Sequence, residues 1–204
     1  MKGFIFEELN GGAACRTYLL ACPRTREALL VDPVLEHVPH YLERLARDGL
    51  RLSLTVDTHT HADHRSGSRE LARATGCVHA GRPEGSVDRM LREGDVLAAG
   101  DVRLLVWEMP GPAVDSLVLL MEDRVFSGDT LLIGATGRSD LPEAEAELHG
   151  LRRLLALPGD MLVFPTHDYA RRTFTTIAHE RLNHPRLRLE HEDTGWATIP
   201  HHAV

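Results

Sequence analysis

At 204 residues, 43% of them hydrophobic, the chain carries enough apolar material for a substantial core and fits one domain spanning 1–204. Lys plus Arg number 23 against 30 Asp plus Glu, a formal charge of -7, and no basic block exists to neutralise phosphates, which argues against a nucleic-acid partner. No apolar run approaches a membrane span, the opening Met1 to Glu8 reaches an acidic pair too early for a secretory signal, and three cysteines (Cys15, Cys22, Cys77) follow no metal spacing, so a soluble cytoplasmic protein with reduced thiols is expected.

Residues 3–8 and 16–22 read as short strands separated by the turn signal Asn10-Gly11-Gly12. Ala28 to Val31 is a wholly apolar third strand, expected to be buried on both faces. It stops at Asp32-Pro33, where Asp32 either aims its carboxylate at a site beyond the strand end or serves as a turn or cap residue. Val38, Tyr41, Leu42 and Leu45 recur at helical spacing and predict an amphipathic helix over 36–48. A strand at 51–57, a helix from Ser68 to Ala74 and a strand at 77–80 follow. Residues 84–100 read as charged, Gly-rich turns around Leu97-Ala98-Ala99. Val102 to Trp107, Ser116 to Met121 and Arg124 to Phe126 read as strands. Leu148, Leu151, Leu154 and Leu155 mark a helix, Met161 to Phe164 a strand, and Phe174, Ile177 and Ala178 a last helix. The pattern past Pro185 gives no structural expectation. Two sheets with helices packed outside satisfy this order of elements.

The chemistry concentrates in Thr58-His59-Thr60-His61-Ala62-Asp63-His64, directly after the strand at 51–57. In an extended segment alternate side chains share a side, so His59 and His61 can converge on one point. Asp63 and His64 fall where the chain turns toward the next helix and offer a second set of ligands. Imidazole nitrogen with carboxylate oxygen suits zinc, iron or manganese rather than a soft thiolate site. Two further strand ends carry candidate ligands. Asp129 follows Phe126-Ser127-Gly128, with Gly128 permitting close backbone approach, and His167 follows Phe164-Pro165-Thr166. Metal sites gather residues from separate strand ends in this way.

The His-x-His-x-Asp-His pattern at 59–64 resembles the mark of the metallo-β-lactamase superfamily. Within it, Thr17 to Leu20, Thr25 to Ala28, Val31 to Glu36, Ser127 to Ile133, Gly137-Arg138-Ser139-Asp140 and His167-Asp168-Tyr169 resemble the persulfide dioxygenase branch, the family of the ethylmalonic encephalopathy protein. The likeness runs from about residue 4 to about residue 187. It implies an α/β fold, the αβ/βα sandwich with a metal site at one edge of two sheets. It also implies oxidation of glutathione persulfide by dioxygen to sulfite and glutathione at a mononuclear iron(II). Carried over, the iron ligands are His59, the histidine of a Pro-Gly-His motif, and Asp129. Such a triad leaves positions open for sulfur and dioxygen. Arg138 and Tyr169 match positions near the glutathione moiety, where an arginine can pair with a carboxylate.

The Pro-Gly-His motif falls on Pro110-Gly111-Pro112, so the expected third ligand is a proline without a donor atom. Three outcomes stay open. Iron(II) is held by His59, His61 and Asp129. Alternatively zinc occupies the neighbouring site of Asp63, His64, Asp129 and His167, with Asp63 and His64 the candidate catalytic pair and a zinc-bound water of pKa roughly 7 as nucleophile. In the third case the metal is lost and a non-catalytic homologue remains. The leading expectation is a persulfide dioxygenase-like enzyme of sulfur metabolism acting on a small thiol substrate, with homo-oligomerisation open. The alternative is a thioester hydrolase similar to hydroxyacylglutathione hydrolase, a family that usually carries a longer helical C-terminal region.

Overall fold

A computed structural model describes residues 3–10, 15–61, 63–82, 87–137, 144–168 and 172–185. Its strands form two six-stranded sheets. The first begins with the antiparallel strands β1 (Ile5–Glu8), β2 (Tyr18–Ala21) and β3 (Glu27–Val31). A 3-10 turn (Leu35–His37) and helix α1 (Val38–Arg47) then cross over to β4 (Arg51–Val56), parallel to β3. Helix α2 (Ser68–Thr75) leads to β5 (Val78–Gly81), and β6 (Arg89–Met90) completes the edge, both parallel to their neighbours. Gly76 ends α2 with φ +73°, a left-handed cap whose N–H reaches Ala72 O at 2.9 Å.

The second sheet follows a related plan. β7 (Val96–Ala99), β8 (Val102–Glu108), β9 (Leu117–Leu120) and β10 (Arg124–Gly128) run antiparallel in succession. Helix α3 (Ala144–Leu155) crosses to β11 (Leu162–Pro165), parallel to β10, and β12 (Thr175–Thr176) pairs antiparallel with β11 before α4 (Ile177–Asn183).

Strand alternation explains the layering. In β3, Leu29 and Val31 enter the cluster between the sheets, while Ala28 and Leu30 face a second cluster with Tyr41 and Leu45 of α1 and Leu71 of α2. In β9, Leu117 and Leu119 point inward, while Val118 and Leu120 pack outward with Leu151 and Leu154 of α3 and Ile177 of α4. A strand buried on both faces has no polar alternation, and that is why β3 reads as an unbroken apolar run. The result is helices, sheet, sheet, helices: the expected α/β sandwich of the metallo-β-lactamase type. Rings of Phe6, Tyr18, Phe126 and Phe164 fill the centre, with centroids 4.8 Å apart for Phe6–Phe164 and 5.2 Å for Tyr18–Phe126. Among the described residues, no helix is long and apolar enough to cross a membrane.

Two sequence readings are corrected. The turn region at 84–100 contains β6 and β7, and Phe174 lies outside the last helix, which begins at Ile177 after Thr176 caps it by accepting from His179 N at 3.2 Å. Phe174 is instead half-exposed against Phe164.

Candidate metal centre

Two of the parallel strand pairs, β3/β4 and β10/β11, decide where the chemistry gathers. Asp32 follows β3, the histidine-rich loop follows β4, Asp129 follows β10 and His167 follows β11. All leave their sheets at carboxyl ends and meet at one edge of the sandwich.

The histidine-rich segment is a loop from Asp57 onward, so strand alternation is not what brings His59 and His61 together. Polar contacts do it. Asp32 is buried, with φ +51°, and its carboxylate accepts from Thr58 N (2.7 Å), Thr58 Oγ1 (2.8 Å) and Thr166 Oγ1 (2.6 Å), and meets His61 Nε2 at 3.3 Å. One carboxylate therefore ties the loop after β4 to the segment after β11. Asp115 anchors the next residue, accepting from Thr60 N (3.0 Å) and Oγ1 (2.5 Å), and Leu117 N donates to Thr58 O at 2.7 Å. Asp57 binds Ser66 Oγ, Ser68 Oγ (2.9 Å) and His79 Nε2 (2.8 Å), closing the base of the loop.

Within this frame, His59 Nδ1 lies 2.9 Å from Thr58 Oγ1 and its Nε2 faces Asp129 Oδ2 at 3.6 Å. The His59 and His61 rings are 4.1 Å apart between centroids. With its Nε2 on Asp32, His61 keeps Nδ1 buried and without a hydrogen-bond partner among the described residues. A carboxylate that fixes one imidazole nitrogen and leaves the other bare is the arrangement that orients a metal ligand. Burial, followed by the neighbouring His61, lowers the pKa of His59 and favours the neutral, ligating ring. Burial also opposes charge on His61, but the Asp32 carboxylate outweighs it and raises that pKa. Burial opposes ionisation of Asp32 as well, yet the His61 contact and the charges of His61 and His59 hold its carboxyl well below the usual range.

A second group lies alongside. His167 Nδ1 is 2.6 Å from Asp129 Oδ1, and its Nε2 is 3.0 Å from Asp63 Oδ2. His64 Nδ1 lies 3.3 Å from Asp63 Oδ1. Burial works against a charged His167, but Asp129 and then Cys15 push its pKa up to about 11. Burial likewise opposes ionisation of Asp63, and contacts from Cys15 and His167 bring its pKa down nevertheless. Cys15 is the group that spacing failed to find: its Sγ is 2.9 Å from Asp63 Oδ2 and 3.2 Å from His167 Nε2. The expectation that thiolate plays no part at this edge is thereby corrected. The signal was absent from local sequence because Cys15 stands 48 residues from Asp63 and 152 from His167.

The six residues expected as ligands lie on loops at one edge: Asp63, His64 and His167 form a compact group with Cys15, His61 groups with Asp32 and Asp57, and Asp129 contacts His167 and His59. The Asp32, Asp57 and His61 group is compact, but hydroxyl, amide and imidazole donors already fill its carboxylates. Arg138 and Tyr169, expected to contact substrate, lie outside the described residues. Pro112 borders the site: an added Cβ on Gly137 would stand 3.0 Å from Pro112 Cβ and 2.8 Å from Asp129 Cβ.

Gly128 sets the approach of the two sheets here. Its φ is +54°, and a Cβ would sit 2.9 Å from Thr58 Oγ1 and 3.1 Å from Thr58 Cβ. Gly128→Ala should therefore displace Thr58, which holds both Asp32 and His59, and cost about 1–3 kcal/mol through the strained backbone. Urea denaturation of the metal-free chain measures it, and an unchanged midpoint would refute the role given to this close contact.

Comparisons with known proteins identify the family. The family model of the metallo-beta-lactamase superfamily matches residues 10–98. Persulfide dioxygenase ETHE1, mitochondrial, of Homo sapiens is 37% identical over 185 residues, covering 87% of this chain and 73% of that protein. A hydroxyacylglutathione hydrolase of Tolumonas auensis is 35% identical over 159 residues, covering 74% and 61% respectively. The crystal structure of ETHE1 from Myxococcus xanthus superposes with a TM-score of 0.86 at 35% identity, covering 97% of this chain and 92% of that one. The chain belongs to the metallo-β-lactamase superfamily and is homologous to its ETHE1-like persulfide dioxygenases.

Proposed function

We propose that this chain is a persulfide dioxygenase-like enzyme that oxidises glutathione persulfide, or a similar small thiol persulfide, to sulfite and the thiol. The reaction consumes one dioxygen and one water per persulfide and releases two protons, with the outer sulfur taking all three oxygens. The reading is carried by 37% identity to a persulfide dioxygenase, together with His59, whose Nε2 lies 3.6 Å from Asp129 Oδ2 and whose ring lies 4.1 Å from that of His61. Two imidazoles and a carboxylate are the donor composition of non-haem iron(II) oxygenases, so the residues present fit iron despite Pro112. Bound there, iron(II) would supply open positions for the persulfide sulfur and for dioxygen.

The chain's own residues do the positioning. Asp32 aims His61 and keeps its Nδ1 bare, Thr58 turns His59 toward Asp129, and Asp115 holds the loop between them. Arg138 and Tyr169 are the candidates for gripping the thiol's carboxylate and orienting its sulfur. The three free cysteines suit the reducing, cytoplasmic setting in which we place the enzyme.

Oxygen consumption by iron-loaded protein supplied with glutathione persulfide is the direct test. Uptake well above the metal-free chain, with sulfite formed in equal amount, is expected; a rate equal to the metal-free control removes the reading. A second reading, hydrolysis of a glutathione thioester, is favoured by the separate Asp63, His64 and His167 set, where Asp63 and His64 would flank a metal-bound water. Turnover of S-lactoylglutathione by zinc-loaded protein would select it.

A further inference from the structure

The thiol of Cys15 has no place in the iron triad, yet the fold delivers it to the same edge with some care. The backbones of Cys15 and His167 form an antiparallel bridge, extended by Arg16 N donating to Thr166 O at 2.8 Å. Asn10 Nδ2 holds the Cys15 carbonyl at 3.3 Å. So placed, Cys15 Sγ, a carboxylate oxygen of Asp63 and one nitrogen each from His64 and His167 all lie within 4.8 Å of one another.

Two independent observations mark this group as a ligand set rather than a hydrogen-bonded cluster. The His64 side chain is only 8% exposed, and its Nε2 is buried without a hydrogen-bond partner among the described residues. A buried imidazole left half-satisfied is costly unless something else engages the cluster. Moreover, His167 carries Asp129 on Nδ1 at 2.6 Å while Nε2 faces Cys15 and Asp63, the carboxylate–imidazole pairing that orients a metal-bound histidine.

We propose that Cys15 is the thiolate ligand of a zinc centre completed by Asp63, His64 and His167, distinct from the His59–His61–Asp129 triad. One sulfur, one oxygen and two nitrogens make a tetrahedral zinc donor set. Bonds of ~2.0–2.3 Å place tetrahedral donors ~3.3–3.8 Å apart. The Sγ–Oδ2, Sγ–Nε2 and Nε2–Oδ2 separations of 2.9, 3.2 and 3.0 Å need to open only slightly to admit the ion. The thiolate selects zinc over iron(II) at this position, because softer donors shift preference in that direction. Four protein ligands leave no open coordination position, so the ion clamps the segment entering β2 to the histidine-rich loop and stays out of the chemistry. This holds whether or not the dioxygenase reading does, and it excludes the hydrolytic second reading at these residues.

Cobalt(II) loaded into the full-length chain provides the probe, because only a thiolate ligand gives an intense sulfur-to-cobalt charge-transfer band in the near ultraviolet. The expected result is that band in the unaltered protein and in the Cys22→Ala/Cys77→Ala variant, and its loss in Cys15→Ser. Zinc affinity of Cys15→Ser should fall by more than the roughly 10–100-fold typical when an outer-shell partner is removed. No band in the unaltered protein, or a band that survives Cys15→Ser, overturns the proposal. Should Cys15→Ser fail to fold, alkylation of the unaltered chain decides: one equivalent of zinc is expected to slow modification of Cys15, and an unchanged rate overturns the proposal. Oxygen uptake on iron-loaded protein is a separate measurement, so the centre and the dioxygenase reading can fail independently.

Discussion

Pro112→His is expected to tighten iron binding by more than the roughly 10–100-fold associated with outer-shell changes, and to raise oxygen uptake on glutathione persulfide with it. Pro112 and Asp129 both lie against Gly137, so an imidazole at this position starts beside the Asp129 side chain. Proline contributes no N–H, and the turn around it is held by other groups: Met109 N to Ser116 O at 2.9 Å, Gly111 N to Ala113 O at 3.2 Å and Ala113 N to Ser116 Oγ at 3.1 Å. Pro112 is partly exposed, so the larger ring meets solvent rather than packed core. The substitution therefore adds a donor without removing a backbone bond. Competition with a chelator measures the affinity, and iron content per chain measures occupancy. Unchanged affinity in a folded variant would mean that the loop at 110–113 does not reach the metal.

Asp32→Ala should be the most damaging single change outside the ligands. It strands Thr58 N, Thr166 Oγ1 and His61 Nε2 and leaves Thr58 Oγ1 with His59 alone, all four being bound to one buried carboxylate. Removing one partner of a buried charged network costs about 3–5 kcal/mol. Against a typical domain stability of roughly 5–15 kcal/mol, that is a large share. The same residue gives the metal-free chain an acid sensitivity of definite sign. The Asp32 pKa is held below its ordinary 3.8 in the fold, so its stabilisation is complete above that pH and drains away as pH falls below it. Urea midpoints recorded across the acid range should drop steeply for the parent and less steeply for Asp32→Ala. Parallel curves for the two proteins would show that Asp32 is not the hub described.

The sequence carried the architecture where burial leaves a periodic trace. β3 and β9 are unbroken apolar runs because both faces are covered, and α1 repeats apolar residues at helical spacing because one face meets β3 and β4. β6 left no trace, being two exposed residues at a sheet edge, and β7 is Ala-rich between Gly94 and Gly100, so it resembled a turn. For the site, the histidine-rich loop, Asp129 and His167 were legible because each sits at a strand end followed by polar residues. Strand alternation does not join His59 to His61, since the strand ends at Val56 and Asp32 sets the loop's shape instead. Asp32 itself could not be decided from sequence, because a turn residue and a network hub look alike until Thr58, His61 and Thr166 are seen around it. Cys15 was illegible for a plainer reason: a bridge across 152 positions is a property of topology, not of spacing.

The two sheets each contain a strand, a crossover helix and a parallel strand, and each unit ends its first strand at a left-handed kink, Asp32 in one and Gly128 before Asp129 in the other. The acid of the first unit is turned inward as mortar and that of the second outward as a hand, while a histidine, His59 or His167, follows each second strand. Neither unit supplies the proposed ligands alone. A cation bound as proposed would therefore act as a latch that closes only when both leaves of the molecule have met, and a ruptured seam between them would release it before either leaf had melted.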